Sequence, residues 1–160
     1  MCYQANASSG TVVAGGNGAG TSNTQLNNPF GLYFDVSSNS LLIGNTDAHN
    51  VVRWTLGATH WTLVAGDISG SPGSSSTQLS RPAGLAVDWM GNLYVADGDN
   101  HRIQFFLAGE SNGTTIAGVT ATSGSSSILL NQPLAIALDS QLNLYVSDYS
   151  NHRIQRFLRY

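Results

Sequence analysis

Apolar residues in this chain fall in short runs separated by Gly, Asn, Asp and Ser, and no stretch shows the 3.6-residue period of an amphipathic helix. Mid-chain, the runs predict four strands: a, Gly84–Val87; b, Asn92–Ala96; c, Arg102–Leu107; and d, Thr114–Ala117. All four are rich in Val, Ile, Leu, Tyr and Phe, residues that suit a pleated, half-buried surface. Strand a is almost continuously apolar, which predicts burial on both faces. Strand c alternates (Arg102, Ile103, Gln104, Phe105), as an outer strand with one wet face should.

The same order of runs occurs three times. TVVAGG from Thr11 returns as TLVAGD from Thr62 and TTIAGV from Thr114, each followed by a Gly/Ser-rich stretch and a Leu-x-x-Pro. The prolines open PFGLYFD, PAGLAVD and PLAIALD at Pro29, Pro82 and Pro133, and His49, His101 and His152 keep the same register. Tandem units of about 50 residues with four antiparallel strands describe β-propeller blades, with a β-sandwich or a β-helix as the alternatives. The expected division is an unstructured leader at 1–10 and repeats at 11–61, 62–113 and 114–160. The first run, Thr11–Ala14, reads as a strand d without its own blade, and the last repeat lacks an outer strand.

The Pro-x-Gly-Leu-x-x-Asp unit, followed by Gly-Asn-Leu-Tyr-Val-Ala-Asp and Asn-His-Arg-Ile, resembles the NHL repeat over Thr11 to Tyr160. The resemblance implies an all-β fold, a partial β-propeller of about three four-stranded antiparallel blades, half of a six-bladed ring. The first repeat departs from the pattern. Asn45 stands where Asp97 and Asp148 stand, and Asn50 replaces Arg102 and Arg153, so its local contacts are expected to be looser. The resemblance also implies function: a non-enzymatic scaffold for a protein or peptide, with the recognition module of a RING-type ubiquitin ligase as the alternative. An amidating-lyase-like ring comes third, because the positions after the prolines that would carry its zinc histidines are Phe30, Ala83 and Leu134. Ring closure would come from further blades or from a second copy.

Composition narrows this further. Only 9% of residues are charged, lysine is absent, and six arginines face nine acids, which argues against a nucleic-acid surface, since phosphate binding draws on clustered Lys and Arg. No apolar run approaches the roughly 20 residues of a membrane-spanning helix. Met1 to Gly10 has neither a basic nor an apolar segment of signal-peptide type. The single cysteine, Cys2, rules out an internal disulfide framework and a Cys-rich zinc module. Sequons at Asn6 and Asn112 and the Ser/Thr/Asn/Gly-rich composition lean towards an extracellular setting without fixing the compartment.

Catalytic, metal and cofactor residues are expected to be none. The Asp-x-x-x-His pairs (Asp97 with His101, Asp148 with His152) recur once per blade, whereas a catalytic centre needs unlike groups converging at one place. They read instead as ties between the turn after strand b and the backbone. Arg102 and Arg153 are expected to share that structural task by pairing with an acid such as Asp88 or Asp139. Ser74–Ser76 and Ser125–Ser127 read as flexible polar linkers. Antiparallel order puts the b–c turns and the long d–a loops on one face of the ring, where binding residues concentrate. Asp47, Asp99 and Tyr149 are the candidate partner-binding residues, the acids selecting a basic ligand and the tyrosine anchoring it.

Overall fold

The computed structural model describes residues 9–159, so Cys2 and the sequon at Asn6 lie outside the described residues. Among the described residues, eleven strands form three antiparallel sheets. The first is β1 (Pro29–Asp35), β2 (Ser40–Asn45), β3 (Asn50–Thr55) and β4 (Thr62–Gly66). The second is β5 (Pro82–Val87), β6 (Leu93–Asp97), β7 (Arg102–Phe106) and β8 (Thr114–Gly118). The third is β9 (Pro133–Leu138), β10 (Leu144–Asp148) and β11 (Arg153–Phe157). In each sheet neighbours in sequence are neighbours in space, and one-turn 3-10 segments at Thr46–Ala48, Gly98–Asn100 and Tyr149–Asn151 join the second strand to the third.

Proline opens each inner strand because it has no N–H to leave unpaired there. One extra residue then bulges each inner strand between Pro29 and Leu32, Pro82 and Leu85, and Pro133 and Ile136. β1, β5 and β9 pack side by side, and the glycines in the bulges allow it. A Cβ on Gly31 would overlap the Ala83 carbonyl, and one on Gly84 would sit 2.5 Å from the Leu134 carbonyl oxygen. Ala135 occupies the third of these positions, where no blade follows among the described residues.

Successive blades stack face to face. Leu42, Val51 and Ala65 of the first meet Leu93, Val95 and Phe106 of the second. Tyr94, Ala96, Ile103 and Ala117 of the second meet Leu144 and Val146 of the third. A buried residue of each d–a loop, Leu79 or Leu130, completes each core. The other face of the first blade, with Ile43, Val52, Trp54 and Trp61, is covered in part by Ala14 and Leu26.

Three local expectations are corrected. Thr11–Ala14 is not a strand, and Val12 and Val13 are exposed. The sequence has the right residues, but among the described residues no strand lies beside it to accept its backbone hydrogen bonds, and a strand exists only by pairing. Strand a is half-buried in the second blade, not buried on both sides, because it is the edge strand of its sheet. Strand c there has no wet face: Arg102, Ile103 and Gln104 are all buried, since β7 is an interior strand in a blade flanked on both sides.

Candidate functional site: the loop face and channel mouth

Each turn between the second and third strands is built from one repeated set of residues. It ends on a histidine in the left-handed region, His49 (φ 53°), His101 (φ 55°) or His152 (φ 54°), whose N–H donates to the carbonyl at the start of the turn. Asp97 receives the Ser80 N–H at 2.7 Å, Asn100 Nδ2 at 2.8 Å and Arg102 Nε at 2.8 Å. Asp148 repeats this with the Asn131 N–H at 2.6 Å, Asn151 at 2.8 Å and Arg153 Nε at 2.7 Å. These arginines pair with Asp97 and Asp148 and not with Asp88 and Asp139. The latter instead close the turns of the opposite face, receiving Asn92 Nδ2 and Asn143 Nδ2 at 2.9 Å each.

The guanidinium groups also fasten the Gly/Ser loops. Arg102 donates to the carbonyls of Ser74, Ser75 and Gln78, and Arg153 to those of Ser125, Ser126 and Leu129. The serine clusters are therefore anchored segments, because five N–H donors in a fixed fork can gather several carbonyls that a polar side chain alone would leave to water. In the first blade the ion pair is replaced as a unit. Asn45 receives the Asn27 N–H at 2.6 Å and donates to Asn50 Oδ1 at 3.2 Å, and both asparagines are fully buried. Contacts there are fewer, with Asn50 reaching one loop carbonyl, that of Asp67.

Burial separates two otherwise equivalent carboxylates. It pushes the Asp97 carboxyl above the ordinary carboxylate value against the pull of Ser80, Asn100 and Arg102. At Asp148 burial also acts upward, but Asn151, the Asn131 N–H and Arg153 outweigh it and hold the group below that value. The histidines link blades. His49 Nδ1 accepts the Arg81 N–H of the second blade at 3.1 Å, and His101 Nδ1 accepts the Gln132 N–H of the third at 3.2 Å.

These fixed turns surround an open pocket of about 560 Å³ to which all three blades contribute. Phe30, Ala83 and Leu134, the residues after the three prolines, give it an apolar lining, and Arg81, Asp99 and Tyr149 add polar groups. Phe30 is 61% exposed and Tyr149 59%. Two of the candidate binding residues, Asp99 and Tyr149, thus share this mouth. Asp47 lies beside it, engaged by Arg81 at 3.4 Å and by Asn28 Nδ2 at 3.2 Å. Asp99 has no ion-pair partner among the described residues. Arg81 was not a candidate from sequence, although its place directly before a repeated proline was a usable signal. Asn28, Arg81 and Gln132 all hold that place with φ near 50°.

Three stacked antiparallel sheets with inner strands side by side define a partial β-propeller, the fold of the structures it resembles. It superposes on a Bacteroides thetaiotaomicron protein of unknown function with a TM-score of 0.69, at 15% identity over 81% of this chain and 34% of the other. A streptogramin B lyase structure follows with a TM-score of 0.54, at 19% identity over 80% and 36%. Within that class the chain is similar to NHL-repeat proteins: its residues 79–106 and 130–157 match the NHL repeat. The first blade, with Asn45 and Asn50 at the motif positions, lies outside the match. Human NHL repeat-containing protein 3 is 33% identical over 98 residues, which is 56% of this chain and 27% of that protein. Human NHL repeat-containing protein 2 is 37% identical over 99 residues, 56% and 13%. The chain thus spans about a quarter or less of these relatives.

Proposed function

We propose that this chain is a non-catalytic binding scaffold whose channel mouth takes a protein or peptide segment. The observation that carries this reading is the joining of Phe30, Asp99 and Tyr149 in one open pocket on a hydrogen-bonded frame. Large aromatic side chains lose little conformational freedom on binding and are favoured as anchors. The carboxylate of Asp99 adds a preference for a basic residue in the ligand, while Asp47, already paired with Arg81, contributes to the rim. The turns that carry Asp99 and Tyr149 are fixed by Asp97, Arg102, Asp148 and Arg153, so binding needs little reordering.

The test is panning of a phage-displayed peptide library on the immobilised chain, followed by affinity measurement of the enriched peptide. Tyr149→Ala and Asp99→Asn should each weaken binding at least tenfold. Trp89→Ala, at an exposed turn remote from the pocket lining, should leave it unchanged. Enriched peptides indifferent to both Tyr149→Ala and Asp99→Asn would overturn the assignment of the mouth.

A further inference from the structure

On the face opposite the mouth, the turn from β5 to β6 carries a residue that its own fold does not use. Asp88 closes this turn by accepting the N–H groups of Met90 and Asn92, Asn92 Nδ2 and the Tyr94 hydroxyl. Trp89 beside it is 82% exposed, and Ser140 holds the same place in the third blade, so the turn has no need of an indole. Trp89 stands at a cleft between the first and second blades. One part of the cleft, of about 500 Å³, is lined by Asp35, Arg53, Asp88, Trp89 and Met90. A second part, of about 210 Å³, reaches Glu110, and because Leu42, Arg53, Gly91 and Ala108 line both parts, the two adjoin. Both walls come from the first two sheets, between Tyr33 and Glu110. The joint between the second and third blades is built differently: Phe105 takes the place of Arg53 and packs edge-on against Tyr94, with ring centroids 5.0 Å apart.

The polar groups of the cleft narrow what it could hold. Asp35 accepts the Ser37 N–H, the hydroxyls of Ser37 and Ser38, and Arg53 Nη1. Asp35 and Asp88 thus have their lone pairs taken, since a carboxylate offers about four. Arg53 uses only Nη1, on Asp35 at 2.8 Å and on Ser38 Oγ at 2.6 Å, and its Nε and Nη2 have no acceptor among the described residues. Glu110 is exposed and has no ion-pair partner among the described residues. An anion would meet the charges of Asp35, Asp88 and Glu110. A cation would find Arg53 beside it and two of the three carboxylates already saturated. A purely apolar ligand would strand the free edge of the guanidinium. A neutral ligand remains, with C–H faces for the indole and hydroxyls that both accept and donate.

We propose that this cleft binds a carbohydrate, one sugar ring lying on Trp89 while hydroxyls of the ligand accept from Arg53 Nε and Nη2 and donate to Glu110. The site shares no lining residue with the mouth and stands apart from the peptide-binding reading.

The test is a glycan array probed with the labelled chain, presented as a multivalent conjugate because one open cleft binds weakly. The retained glycan is then titrated in solution against acrylamide quenching of tryptophan fluorescence. Trp54 and Trp61 are buried, so quenching reads Trp89, which the glycan should protect. Trp89→Ala should weaken retention on the array about tenfold, and Glu110→Gln about fivefold, both with unchanged far-UV circular dichroism. Tyr149→Ala, in the mouth, should leave glycan binding unchanged, and affinity for a neutral glycan should be the same at low and high salt. An array on which the chain retains no glycan better than Trp89→Ala does would overturn the proposal. Steep weakening by salt would also overturn it, since the ligand would then be bound by its charge, and so would protection of Trp89 by the peptide selected on the mouth.

Discussion

Arg102 is the side chain on which the frame of the loop face depends most. It is 3% exposed, its Nε lies 2.8 Å from Asp97 Oδ2, and its remaining N–H groups hold the carbonyls of Ser74, Ser75 and Gln78 and the hydroxyl of Thr120. Arg102→Asn leaves Asp97 buried without a cation, a defect that costs about 3–5 kcal/mol. With a urea slope of about 2 kcal/mol/M, the unfolding midpoint should fall by about 2 M. The first blade supplies the control, since Asn45 and Asn50 occupy these two positions without charge. The double variant Asp97→Asn/Arg102→Asn rebuilds that pair in the second blade and removes the stranded carboxylate, so it should lose only about 1–2 kcal/mol. The two substitutions are therefore strongly non-additive, as expected for groups in one network. Arg153→Asn should cost less than half as much as Arg102→Asn, because Arg153 is 31% exposed and water screens the loss. Urea titration of the four proteins by tryptophan fluorescence gives the comparison. A double variant as destabilised as Arg102→Asn alone would refute the argument that a buried unpaired carboxylate sets the cost.

Two further outcomes follow from the same structure. Gly31→Ala should destabilise the chain by about 1–3 kcal/mol in thermal or urea unfolding, since the new methyl overlaps the Ala83 carbonyl of the next blade. A neutral result would show that the inner strands are not in close contact. Acid should unfold the chain: Ser37, Ser38 and Arg53 hold Asp35 well below the ordinary carboxylate range, Ser69 lowers Asp67, Asn143 lowers Asp139, and Asp148 is lowered as described. A lowered carboxylate adds stability above its unfolded value of about 3.9, and that stability is lost as pH falls through the folded value. Asp97, raised by burial, acts with the opposite sign, its contribution present in acid and lost as pH rises. The urea midpoint should therefore drop below about pH 4, and less steeply in Asp35→Asn. An unchanged slope in that variant would count against the Asp35 assignment.

Strand content and repeat register were legible in the sequence because they follow from local rules. Alternating and continuous apolar runs, prolines at strand starts and glycine-rich turns act within a few residues of themselves, and three in-register copies made the blade pattern plain. Strands b and c were placed to within a residue at each end, Leu93–Asp97 and Arg102–Phe106. What failed locally failed for want of a neighbour: Thr11–Ala14 has a strand sequence and no partner, and Arg102 reads as one polar position of an alternating strand until a loop and a second blade enclose it.

The sequence by itself determined the class of fold, the number of blades and the residue types at each turn. Only the tertiary structure decided which acid each arginine meets and that His49 and His101 link one blade to the next. It also brought Phe30, Asp99 and Tyr149, which stand in three different repeats, to a single pocket. The physical reason is range. Strand and turn preferences are set by backbone sterics and the nearest side chains, whereas a channel mouth is made by residues some 50 positions apart, brought together only when the blades stack and bury their faces.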